Sequence, residues 1–105
     1  MPSLHELTER DLTRRTDPEA GVVFDTVELP DGRELQISKI RVNKPSVRSG
    51  TLFVRAVQAW AWHIGDFATK QVRVGEGFMT RREAFRSAIA WAEQNPAGVL
   101  RPETQ

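Results

Sequence analysis

Val22 to Leu29 and Arg33 to Val42 are two apolar-rich runs with Pro30-Asp31-Gly32 between them, and apolar and polar residues alternate where they flank that turn, over Thr26 to Leu29 and Glu34 to Ser38. A period of two sends successive side chains to opposite faces of a strand. Proline presets one turn position and glycine takes the left-handed one, so these residues predict a β-hairpin. Thr51 to Ile64 is a longer run rich in Phe, Val and Trp and is predicted as the third and central strand. Gly65-Asp66 predicts a two-residue turn into a fourth strand, Phe67 to Val74, which Gly75-Glu76-Gly77 breaks. Asn43 to Gly50, with Lys44, Pro45 and Arg48, reads as a polar loop.

The period changes to that of a helix at the C-terminal end. Thr80-Arg81-Arg82-Glu83 has the form of a capping box, and Phe85, Ala88, Ile89 and Ala92 recur at helical spacing, flanked by Trp91. Asn95-Pro96 stops that helix, and Arg82, Arg86, Glu93 and Gln94 form its polar side. Near the N-terminus, Ser3-Leu4-His5-Glu6 also fits a capping box and predicts a short helix from about Leu4 to Leu12, ended by Thr16-Asp17-Pro18. The expected fold is α+β, a four-stranded antiparallel sheet in the order β-β-β-β-α, packed by one C-terminal helix. A single domain is expected over 21–96, between a flexible N-terminal segment, 1–20, and a flexible tail, 97–105.

The face of the third strand that the helix covers is left open. Leu52, Val54, Trp60, Trp62 and Ile64 point one way, and Phe53, Arg55, Val57, Ala59, Ala61 and His63 the other. A strict two-residue turn sets Trp62 opposite Thr69 and Trp60 opposite Gln71. That register leaves Trp60, Gln58 and Arg73 on one surface as an aromatic and basic platform. One extra loop residue instead carries Val72 and Val74 to the tryptophans in the core.

Composition narrows the function classes. The chain has no cysteine, which excludes a disulfide framework, thiolate catalysis and cysteine-held zinc. No apolar run approaches a membrane span, so no membrane partner is expected and the cytoplasm is the expected compartment. The net charge of +1 hides an uneven distribution. Residues 1–34 hold four basic against nine acidic side chains, whereas residues 35–75 hold Lys39, Arg41, Lys44, Arg48, Arg55, Lys70 and Arg73 against Asp66 alone. Such a stretch attracts polyanions, unless the acidic third covers it within the folded chain.

Catalytic chemistry is sparse. His5 and His63 are the two histidines, far apart in sequence and without metal-ligand spacing, so no metal is expected. His63 and Asp66 offer a histidine and carboxylate at a turn, but no nucleophile is identifiable beside them. Gly75-Glu76-Gly77 precedes a helix, yet Thr80 stands where a dinucleotide fingerprint needs its third glycine. Neither a catalytic residue nor a cofactor is assigned.

A Trp-rich strand, a turn, a further strand and then Gly-Phe-Met-Thr-Arg-Arg-Glu-Ala-Phe opening an Ala-rich helix resemble the small sheet-plus-helix DNA-binding domains, over about residues 51–94. These are the arm-binding domains of phage integrases and the AP2-type domains. The resemblance implies that the sheet face away from the helix enters the major groove. By that analogy Arg55, Lys70, Gln71 and Arg73 read bases and phosphates, joined by Lys39 and Arg41. With Lys44 and Arg48 from the loop, and Trp60 as the candidate aromatic contact, they make up the expected nucleic-acid-binding set. The chain departs from the integrases in having no tyrosine, so their recombination chemistry is not implied. The expected function is a non-enzymatic nucleic-acid-binding module. The competing reading is an adaptor or inhibitor that presents the same basic, Trp-containing face to an acidic protein.

Overall fold

The hairpin at Pro30-Asp31-Gly32 forms as its turn residues predict. Gly32 takes φ 92°, and the Leu29 and Arg33 backbones close the turn through a 2.7 Å hydrogen bond. In a computed structural model that describes residues 3–99, this turn joins strand β2 (Val22–Glu28) to strand β3 (Glu34–Arg48). Strand β1 (Thr13–Asp17) pairs with β2, and β4 (Thr51–Asp66) and β5 (Gln71–Phe78) follow β3. The helix α1 (Arg81–Gln94) closes the chain order. All neighbours in the sheet are antiparallel, in the order β1-β2-β3-β4-β5.

The α+β class and the helix stand as expected, but the strands number five rather than four. The additional strand is β1, whose residues follow the expected Leu4 to Leu12 helix and were expected to belong to the flexible N-terminal segment. Asp17 accepts hydrogen bonds from the Glu19 and Ala20 amides, and Gly21 takes φ 67°, so this segment folds back as a hairpin onto β2. The domain boundary drawn at residue 21 therefore falls inside a hairpin. Ahead of it, the expected helix is two 3₁₀ turns, Leu4–Glu6 and Glu9–Asp11. Ser3 makes no capping bond, and the box is built instead by Thr8 and Asp11. Leu4, Leu7 and Leu12 pack on the core. Of the expected tail, residues 100–105 lie outside the described residues.

Further departures concern β3 to β5. Asn43 to Gly50 is mostly strand, because Ser49 (φ 51°) and Gly50 (φ 77°) form the two-residue turn themselves. This makes β3, not β4, the middle strand. Gly65 and Asp66 belong to β4, and the chain reverses over residues 67–70, with Lys70 at φ 59°. Neither anticipated register results, because Asp66 pairs with Gln71 and Trp62 with Gly75. Gly75-Glu76-Gly77, expected to break the strand, lies within it. Between Trp60 and Trp62 the pairing shifts, so that Trp60 lies opposite Phe78, and Gly77 absorbs this bulge at φ 88°.

The helix covers the Trp62 face. Ala84, Phe85, Ala88, Ile89 and Ala92 are buried on Leu29, Leu35, Ile37, Trp62 and Ile64. Trp62 is 4% exposed, its indole N–H donates to Ser87 Oγ at 3.2 Å, and its ring lies 5.8 Å from that of Trp91. At the helix start, Thr80 Oγ1 accepts from the Glu83 amide, while the Glu83 carboxylate accepts from the Met79 amide. At its end Arg33, 2% exposed, donates to the Ala92 and Asn95 carbonyls, which have no partner within the helix. Asp31 holds the same guanidinium from within the β2–β3 turn.

Two kinds of substitution test this packing. Phe85→Ala and Ile89→Ala are each expected to cost about 2–5 kcal/mol through cavities, and Arg82→Ala on the exposed side to stay within about 0.5 kcal/mol. A Cβ on Gly75 would lie 2.5 Å from Trp62 Cε2, so Gly75→Ala is expected to destabilise by about 1–3 kcal/mol through overpacking. Equal denaturant midpoints for Gly75→Ala and the parent would overturn the Trp62–Gly75 contact.

Candidate nucleic-acid interface

β3 and β4 outrun the strands beside them. β2 pairs with β3 no further than Ile37, and β5 pairs with β4 no further than Trp60. Past those points the register runs from Ile40–Ala59 to Arg48–Thr51 with each strand paired only to the other among the described residues. The result is a two-stranded ribbon roughly 30 Å long at the usual rise per residue. Both of its strands are edges, which is why Pro45, lacking an N–H, is tolerated in mid-strand.

The alternation of side chains gives the ribbon two unlike faces. On the helix side, from root to tip, lie Lys39 opposite Trp60, Arg41 opposite Gln58, Asn43 opposite Ala56, Pro45 opposite Val54, and Val47 opposite Leu52. On the other side, Ile40, Val42 and Val57 line the root, Lys44 lies opposite Arg55, and Arg48 stands at the tip. Like charges placed directly across an antiparallel pair repel. Lys39 Nζ lies 5.4 Å from the half-buried Trp60 ring centroid, a cation–π contact. Lys44 reaches Met79 Sδ at 4.0 Å, and that weak acceptor leaves the ammonium most of its hydrogen-bonding capacity.

Whether the acidic third covers these cations is decided by the ion pairs. Asp25, Asp31 and Glu9 are taken by Arg14, Arg33, Arg81 and Arg82. Among the described residues, no salt bridge joins Lys39, Arg41, Lys44, Arg48 or Arg55 to a carboxylate. The segment 39–58 itself contains five basic residues and no acidic one.

The expected binding set therefore divides. Lys39, Arg41, Lys44, Arg48, Arg55 and Trp60 gather on the ribbon. Lys70 lies in the β4–β5 turn, roughly 33 Å or more from Arg55 along β4. Gln71 and Arg73 face a small crevice that Asp66, Trp91 and Val99 also line. The analogy put the reading residues on the sheet face away from the helix. Of the residues it named, Arg55 lies there, whereas Lys39, Arg41, Gln71 and Arg73 share the face of Trp62. His63 and Asp66 occupy opposite faces of β4, so they form no pair, and His63 stands beside Gln36, Val72 and Val74. No cluster of three or more His, Asp or Glu among the described residues is arranged to hold a metal.

Sequence reasoning missed Asn43 and the apolar tip of the ribbon, because a polar-loop assignment carries no side-chain periodicity. The signal that finds them is Ser49-Gly50, a dipeptide suited to a two-residue turn between strands. Comparison of the chain with protein-family models, with curated proteins and with solved structures gives no match.

At the other end of β4, Asp66 fixes the turn and the residues after the helix. Its carboxylate accepts from the amides of Gly98 (2.7 Å), Ala68 (3.0 Å) and Thr69 (3.3 Å). Above all the Gly98 amide, then those of Thr69 and Ala68, hold its pKa below the ordinary 3.8 against the opposing effect of burial. A depressed folded value means that this stabilisation is complete above the ordinary value and is lost as pH falls through the folded one. Asp66→Ala is therefore expected to lower the melting temperature near neutral pH, with the gap to the parent closing well below pH 3.8. A gap that persists unchanged in acid would show that the carboxylate charge is not the source.

Proposed function

We propose that this protein is a non-enzymatic nucleic-acid-binding module whose contact surface is the β3–β4 ribbon. The observation that carries this reading is the Lys44–Arg55 pair. Two cations face each other across a ribbon that contains no acidic residue, and neither has a carboxylate partner among the described residues. That arrangement is unfavourable in the free chain and favourable beside a row of phosphates, which the cations neutralise as condensed counterions leave. A two-stranded ribbon also has the cross-section that the major groove admits, and strands enter a minor groove when the duplex bends. Trp60, half-buried with Lys39 over its ring, supplies an aromatic surface at the ribbon's root.

Binding to a mixed DNA or RNA probe is expected to weaken steeply with salt, log K falling against log salt with a slope of about −3.5 to −4.5 for four to five phosphate contacts. Lys44→Ala and Arg55→Ala are each expected to flatten the slope by about one unit. Lys70→Ala, in the turn beyond the far end of β4, is expected to leave it unchanged. Equal binding of polyglutamate would favour an acidic protein as the partner, and no binding to any nucleic acid at low salt would remove the reading.

A further inference from the structure

Among the described residues nothing covers the helix-side face of the ribbon tip. Val47, Leu52 and Val54 are each 67–70% exposed, and with Pro45 they form two directly opposed apolar pairs. Four apolar side chains at the end of a projecting ribbon lie beyond the reach of the core. Three occupants have suitable chemistry, and charge and hydrogen bonding separate them. A second copy's ribbon would set five cations against five, with no acid on either ribbon to relieve them. A lipid surface would accept the apolar tip and the cations. It would also have to take up Asn43, Arg41 and Gln58, which lie on the same face immediately behind the tip and need partners when dehydrated. The floor of a duplex minor groove offers acceptors to those three side chains, phosphates along its rims to which the long Lys44, Arg48 and Arg55 side chains can fold back from the outward face, and a stack of bases that an apolar wedge can part.

We infer that the ribbon enters the minor groove of double-stranded nucleic acid with this face inward and drives the Pro45–Val54 and Val47–Leu52 pairs against a base step, kinking the duplex. The inference rests on the nucleic-acid reading above and adds the groove, the depth of entry and a mechanical consequence. Sequence preference follows from deformability. Pyrimidine–purine steps such as TA unstack most readily, and an A·T-rich groove presents only acceptors to the Asn43 and Gln58 amides.

The test uses the full chain and a DNA duplex of about 30 base pairs with one central TA step and a fluorophore at each end. Saturating protein at low salt is expected to raise energy transfer between the ends, corresponding to a bend within about 20–90°. The double variant Val47→Ser with Leu52→Ser is expected to bind with its salt slope intact and to leave the duplex straight. Its melting temperature reports whether the fold survives, and Leu52→Thr, which keeps strand propensity, is expected to show part of the same loss. Salt-dependent binding of a straight duplex by the parent, or equal bending by the serine variant, overturns the wedge and leaves the nucleic-acid reading intact. Binding to single strands alone does the same. Tight binding to phosphatidylserine vesicles with no binding to duplex or single strand overturns both.

Discussion

The contact between Trp62 and Gly75 governs how the rest of the chain is arranged. The indole lies where any side chain on residue 75 would stand, so β5 fits beside β4 with a glycine at this point. Its N–H is spent on Ser87 of the helix, so one side chain joins β4, β5 and α1. Two residues of β4 then face three of β5, and the bulge at Gly77 brings β5 to an end opposite Trp60. From there the chain turns at Thr80 into a helix that runs back over the core. Nothing of β5 remains to accompany β4 past Trp60. The same contact that closes the core therefore leaves the outer half of the β3–β4 hairpin uncovered.

Charge is distributed along the same division. In the body, buried or half-buried carboxylates and guanidinium groups are matched and serve as structural links. Arg81 joins the helix start to Asp25 of β2 and to Glu9, and Arg33 ties the helix end to the β2–β3 turn. Breaking one partner of such a pair would leave the other charge without compensation in a poorly hydrated place. On the ribbon the cations are solvated and repel one another. Lys39 rests on the Trp60 ring, but Lys44 and Arg55 face each other with no carboxylate partner among the described residues, an arrangement that opposes folding.

The two faces of the ribbon complement each other in the nucleic-acid reading. Lys44, Arg48 and Arg55 are long, flexible side chains suited to the phosphate walls, whereas the opposite face passes from Trp60 through Arg41, Gln58 and Asn43 to an apolar tip. Long-range attraction by the first set and short-range contact by the second act at different distances. Screening by salt weakens the former much more than the latter.

The sequence alone determined what local chemistry dictates. The Pro30-Asp31-Gly32 hairpin, the Thr80 cap and the apolar stripe of α1 were legible because turn residues, capping residues and a helical period act within a few positions of one another. The concentration of Lys39, Arg41, Lys44, Arg48 and Arg55 was legible as a count. β1 was not, since five exposed residues between two turns carry no burial pattern and become a strand only when β2 supplies the ladder. Nor was the ribbon, because Lys44-Pro45 reads as a strand breaker until both strands are seen to be edges. The register of β5 lay beyond sequence reasoning for a steric reason. Turns of two and four residues give the same alternation of faces, and only the volume of the Trp62 indole beneath the helix selects Gly75 as its neighbour.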